Sequence, residues 1–198
     1  MTSDFNSHKR VAIFASGNGT NAEALMRYFK HHLSIQICAV FVNNPHAGVI
    51  SKAEQLSVPV ILFNREEWEQ GVVLDKLISL HVGYIMLAGF LWMVPVKILS
   101  HFKEKILNIH PSLLPSHGGK GMYGLSVHKA VLKAGDKESG ITIHVIDEEY
   151  DKGKILFQKS IPVLDNDTAE SLAKRVNQLE LKYYAPVAET YFVNNFLT

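Results

Sequence analysis

Short apolar runs alternate with segments of helical period through the first 110 residues, and few folds accommodate that alternation. "RVAIFA" (10–15), "IQICAVFVN" (35–43), "VPVILFN" (58–64), "GYIMLAG" (83–89) and "KILNIH" (105–110) read as strands. Between them, 20–32, 47–56, 65–81 and a short stretch at 94–102 read as helices. Parallel strands need long crossovers, usually helical, so this rhythm implies a parallel sheet covered by helices on both faces. After residue 110 the pattern changes. "LSVHKAVLKAG" (125–135) reads as a helix, while "GITIHVID" (140–147) and "GKILFQKSIPV" (153–163) are close enough to pair antiparallel. The stretch from Thr168 to about Asn194 reads as one long helix, with a bend at Pro186. The expected fold is α/β: a single Rossmann-like domain with a mostly parallel twisted sheet, C-terminal antiparallel strands and a long C-terminal helix.

The 198 residues suit one domain, 1–198, with residues 1–9 as a flexible N-terminal segment. Net charge is +1 and no block of like charge occurs, so neither nucleic acid nor a membrane surface is the expected partner. The opening "MTSDFNSHKR" has no apolar signal core, and no run approaches the roughly 18 apolar residues of a membrane span. A single cysteine, Cys38, excludes an internal disulfide and points to a reducing, cytoplasmic compartment.

"FASGNGTNAEAL" joins the first strand to the first helix. Gly17 and Gly19 permit a tight turn, and Thr20 with Glu23 fits a capping box. A helix N-terminus in this position suits a phosphate. Gly17, Gly19 and Ala22 also fit the loose dinucleotide fingerprint, but "FVNNPHAG" after the second strand offers no carboxylate for a ribose. The phosphate of another ligand is the better reading, and a plain connecting turn is the bland one. Asn21 could add an amide contact.

Asn108 and His110 are two apart on a strand and therefore share a face; Pro111 ends that strand. Ligands of open α/β sheets lie beyond the carboxyl ends of strands. An amide can stabilise an oxyanion and an imidazole can move a proton, a combination suited to acyl transfer. The histidine then needs a carboxylate, and Asp147, Glu148, Glu149 and Asp151 all qualify. The bland alternative is a histidine satisfied by a backbone carbonyl.

Nothing competes as a nucleophile: there is no G-x-S-x-G, and Cys38 lies mid-strand. Of the other histidines, His117, His128 and His144 fall nearest the candidate site, and none has the spacing of a metal site. No metal is expected. "PSHGGKGMYGLS" (115–126) reads as a mobile loop, either a connector or a flap over substrate.

Taken together, "SGNGTN" (16–21), "LAGF" (87–90), "LNIHPSLLP" (107–115) and "DKG" (151–153) resemble the phosphoribosylglycinamide formyltransferase family over nearly the whole chain. The resemblance implies formyl transfer from 10-formyltetrahydrofolate, a co-substrate, to glycinamide ribonucleotide in purine synthesis. A monomer or weak homodimer acting on small molecules is implied, and 10-formyltetrahydrofolate hydrolase or another member of the wider formyltransferase family is the alternative. It also implies roles. Asn108, His110 and Asp151 would be catalytic. Gly19, Thr20, Asn21, Asn177 and Glu180 would bind the ribonucleotide. Arg65, Leu91, Trp92, Met93, Val94, Asn108 and Asp147 would bind folate. Two departures stand out: Trp92 occupies a position where the family commonly has arginine, and the 116–127 loop is longer than in many relatives.

Overall fold

The computed structural model describes residues 9–149 and 151–194. Its sheet has seven strands in the order β3-β2-β1-β4-β5-β6-β7. These are β1 (Lys9–Ala15), β2 (Ile35–Val42), β3 (Val60–Leu62), β4 (Tyr84–Leu87), β5 (Ile106–His110), β6 (Glu138–Val145) and β7 (Ile155–Pro162). The pairs among β1 to β5 are parallel, whereas β5–β6 and β6–β7 are antiparallel. The helices are α1 (Thr20–Phe29), α2 (Val49–Gln55), α3 (Arg65–Gln70), α4 (Val72–Ser79), α5 (Val96–His101), α6 (Leu125–Ala134) and α7 (Ala169–Asn194).

Strand alternation divides the core in two. Val11, Ile13 and Ala15 join Met86, Leu107 and Ile109 on one face, packed with Leu25 of α1 and Leu172, Val176 and Tyr184 of α7. Ala12, Phe14, Phe41, Ile85 and Ile106 fill the other with Trp68 of α3, Leu77 of α4 and Ile98 of α5. Because side chains alternate, Asn108 and His110 share the face of Ile106. Burial on both sides explains why these strands read as continuous apolar runs. The Tyr184 hydroxyl lies 2.9 Å from the carbonyl oxygen of Leu87 and 3.0 Å from that of Leu107. It ties α7 to β4 and β5 one residue before Asn108.

The expected architecture is the one observed, with local differences. The stretch 65–81 is two helices, not one: Gly71, at φ 100°, closes α3 and opens α4. That left-handed conformation is open to glycine and breaks the helical ladder. The Thr20–Glu23 capping box does not form. Gly19 is the N-cap, which puts Glu23 one residue too far along; its carboxylate instead pairs with Arg27 and Lys52. A capping box forms at Asn64 and Glu67, where none was expected. α7 runs through Pro186 as a single helix. Lys9, placed in the flexible segment by sequence, belongs to β1 and pairs with Ile35; residues 1–8 lie outside the described residues.

Candidate active site

β5 ends at a cleft of about 970 Å³. Asn108, half-buried, and His110, 4% exposed, line it from one strand face. Asn108 is paired with both β4 and β6, and His110 with β6. In the β6 register Asn108 stands opposite His144, and His110 opposite Thr142. Past the strand, the Thr142 hydroxyl donates to the Ser112 carbonyl and accepts from the Leu114 amide, while Gln158 Nε2 donates to the Leu114 carbonyl. This network clamps residues 112–114 against β6 and β7, so the strand end carrying His110 is anchored.

Asp151 reaches the pair from the loop between β6 and β7. Its Oδ2 lies 3.7 Å from His110 Nδ1, and its Oδ1 lies 3.7 Å from His144 Nε2. Oδ2 also accepts the Gly119 amide at 2.8 Å. His110 Nε2 is 2.9 Å from the His117 carbonyl oxygen. A carbonyl only accepts, so Nε2 carries a hydrogen. The bland reading of His110 is therefore half right: one nitrogen is satisfied by backbone, and the other faces the carboxylate. Of the four carboxylates open to choice, Asp151 is the one that meets the imidazole.

Asn108 Nδ2 lies 3.1 Å from His144 Nε2. His144 is fully buried, and burial lowers its pKa, so the ring is neutral near pH 7. A neutral ring whose Nε2 accepts from Asn108 holds that amide in one orientation. Sequence reasoning placed His144 near the site without a role. The signal that would have found it is the β5–β6 pairing, which puts it directly across from Asn108.

A second group lies between α1 and α7. Gly19 takes φ 73°, a left-handed turn, and a Cβ there would lie 2.5 Å from Val49. The first intrahelical bond of α1 runs from the Glu23 amide to the Gly19 carbonyl, which leaves the amides of Thr20 to Ala22 without helical partners. Asn21 and Asn177 both donate through Nδ2 to Glu180 Oε2, at 3.1 and 2.8 Å. Glu180 is 9% exposed, and burial raises its pKa above the usual carboxylate value. Thr20, Asn21, Asn177 and Glu180 all line the cleft; Gly19 stands just behind it.

The opposite wall is Leu91, Trp92, Met93 and Val94, with Asp147 also on the lining. Ser16 Oγ accepts from the Leu91 amide at 3.1 Å, and Trp68 Nε1 donates to the Met93 carbonyl at 2.9 Å. These two bonds set the backbone of that wall. Arg65 does not reach the lining. Its guanidinium lies 5.0 Å from the ring centre of Trp92 and pairs with Glu69. Asn18 and Phe90, left without a role by sequence, also line the cleft, as do His128, placed near the site by sequence, and Gly119 to Leu125, within the segment read as a connector or flap. Among the described residues, no group of three or more His, Cys, Asp or Glu side chains is placed to hold a metal ion. No helix among them is long and apolar enough to cross a membrane.

The chain has relatives among known proteins. Residues 9–188 match the formyl transferase family model. A chloroplastic phosphoribosylglycinamide formyltransferase of Vigna unguiculata is 42% identical over 91% of this chain. The chain spans 60% of that relative's length and 64% of the Arabidopsis thaliana counterpart's. It covers 92% of the phosphoribosylglycinamide formyltransferase of Bacillus subtilis, at 37% identity over 90% of its own length. The crystal structure of phosphoribosylglycinamide formyltransferase from Anaplasma phagocytophilum superposes with a TM-score of 0.84 at 36% identity, over 92% of this chain and 86% of that one. An amide, an imidazole and a carboxylate at the end of β5, on a chain matched along nearly its whole length, make this protein a member of the formyl transferase family.

Proposed function

We propose that the protein transfers the formyl group of 10-formyltetrahydrofolate to the primary amine of N1-(5-phospho-D-ribosyl)glycinamide, as its relatives' names state of them. The observation that carries the reading is the convergence of Asn108, His110 and Asp151 on one cleft. The amine attacks the formyl carbon and a tetrahedral oxyanion forms. The hydrogen on Asn108 Nδ2 not given to His144 donates to that oxygen, as does the Nδ1–H of protonated His110, whose Nε2–H stays on the His117 carbonyl. One such donor is worth about 3–4 kcal/mol in comparable sites. Asp151 supplies the counter-charge to the imidazolium. The oxyanion then collapses, the bond between the formyl carbon and the folate nitrogen breaks, and that nitrogen takes up, through His110 or a water molecule, the proton lost by the amine. No covalent enzyme intermediate forms, and much of the rate comes from holding two substrates together.

The free amides of α1 after Gly19, with Thr20 and Asn21, suit the substrate phosphate. Asn177 and Glu180 suit the ribose and glycinamide; Asn21 exchanges its bond to Glu180 for one to substrate. The backbone of Leu91 to Val94 and the Asp147 side suit the pterin, with Arg65 acting through Trp92. All of these groups belong to one chain, so a monomer or weak homodimer suffices, and the lone buried Cys38 is compatible with a reducing cytoplasm. The deciding assay follows deformylation spectroscopically with and without the ribonucleotide. Product formation only when the ribonucleotide is present is expected. Formate release in its absence would replace transfer with hydrolysis.

A further inference from the structure

The loop 116–119 touches both halves of the candidate catalytic pair. The His117 carbonyl accepts from His110 Nε2 at 2.9 Å, and the Gly119 amide donates to Asp151 Oδ2 at 2.8 Å. Two residues apart, these backbone groups set which imidazole nitrogen holds its hydrogen and where the carboxylate points. Two side chains fix the loop: Ser112, whose Oγ donates to the Ser116 carbonyl at 2.6 Å, and His117. The His117 side chain turns away from the cleft, and its Nε2 meets Asp136 Oδ2 at 2.6 Å. Asp136 follows α6 at the turn into β6, so it belongs to the rigid frame. His117 itself is left-handed, at φ 54°. Non-glycine residues adopt that conformation rarely, and an outside contact has to hold them there.

We infer that His117 and Asp136 form a positioning pair, which holds the loop backbone so that His110 keeps its hydrogen on Nε2 and turns Nδ1 to Asp151. The inference rests on the formyl-transfer reading for its catalytic consequence and on geometry for the rest. Neither side chain lines the substrate cleft; both border a separate cavity of about 360 Å³. They act through His110 and touch no substrate. Solvent reaches them, so truncating either leaves no packed void in the core. Carbonyl groups that fix a histidine tautomer from outside the ligand shell act in the same way at other sites.

The test has a kinetic and a spectroscopic arm, each on thermally stable full-length variants. His117→Ala and Asp136→Ala should each lower kcat on the order of tenfold while the KM of both substrates stays within about twofold. The double variant should be no worse than either single one, because the two residues act as a unit. Asp136→Asn, which can still accept from His117, should recover most of kcat. Long-range ¹H–¹⁵N correlation of the His110 ring should show one Nε2–H tautomer in wild type and a mixture in His117→Ala. Unchanged kcat with an unchanged tautomer, losses that add in the double variant, or a rise confined to KM would each overturn the inference. Lack of turnover in wild type would overturn the formyl-transfer reading instead, and the tautomer measurement would still decide the positioning role.

Discussion

Asn108 and His144 meet across the β5–β6 ladder, with Asn108 Nδ2 3.1 Å from His144 Nε2. Burial keeps the ring neutral, so it can accept this bond. Replacing His144 by alanine removes the acceptor and frees the Asn108 amide to rotate. A fall in kcat of about tenfold or more is expected, with little change in either KM. Steady-state kinetics with each substrate varied in turn checks this.

His110→Ala should cut turnover by about 10²–10⁴, the usual share of a proton-transferring group. Calorimetric Kd values for both substrates should change little, because binding is distributed over the walls of the cleft. Turnover near wild type would remove His110 from the chemistry.

Stability should decline on acidification below about pH 6.5. Burial lowers the pKa of both His128 and His144 from the usual 6.5. Above that value both rings are neutral in the folded and the unfolded chain, and neither contributes. As pH falls through 6.5 the unfolded chain takes up protons that the folded chain refuses until its own lower pKa is reached. The unfolded state then binds more protons, so stability falls with pH. Tm measured from pH 7.5 to 5.5 should drop, and His128→Gln should flatten the slope.

Glu180 has the opposite ionisation. Its pKa is raised by burial, so at neutral pH the ionised carboxylate costs stability relative to an exposed one. That cost vanishes as pH falls through the raised value and on to the ordinary 4.5, because the group is then protonated in both states. Glu180→Gln keeps an oxygen for Asn21 and Asn177. It should melt no lower than wild type at pH 7, with any gain shrinking in acid, while KM for the ribonucleotide rises. A lower Tm at pH 7 would show that the charge stabilises the fold.

The sheet and the strand that carries Asn108 and His110 were legible in the sequence because both follow from periodicity. Apolar runs mark strands buried on two faces, and the two-residue spacing of Asn108 and His110 gives a shared direction whatever the tertiary context. The helix break at Gly71 was visible only as a glycine within a strong helical pattern, which outweighed it. Asp151 could not be chosen by spacing. β6 runs against β5, so its end lies opposite Leu107, below His110, and the following loop has to fold back along the strand to bring the carboxylate up. No local rule encodes that return. The stacking of Arg65 on Trp92 was illegible for a similar reason: it depends on how α3 meets the wall after β4.

Asn108 is paired with both β4 and β6 and His110 with β6, whereas His117, Gly119 and Asp151 ride on loops. The ladder holds the first pair, while the second group can move by local fluctuation. Half of this centre is therefore as durable as the domain, and the other half breathes. On the proposed function, substrate enters and product leaves while the strand that carries Asn108 and His110 stays in place.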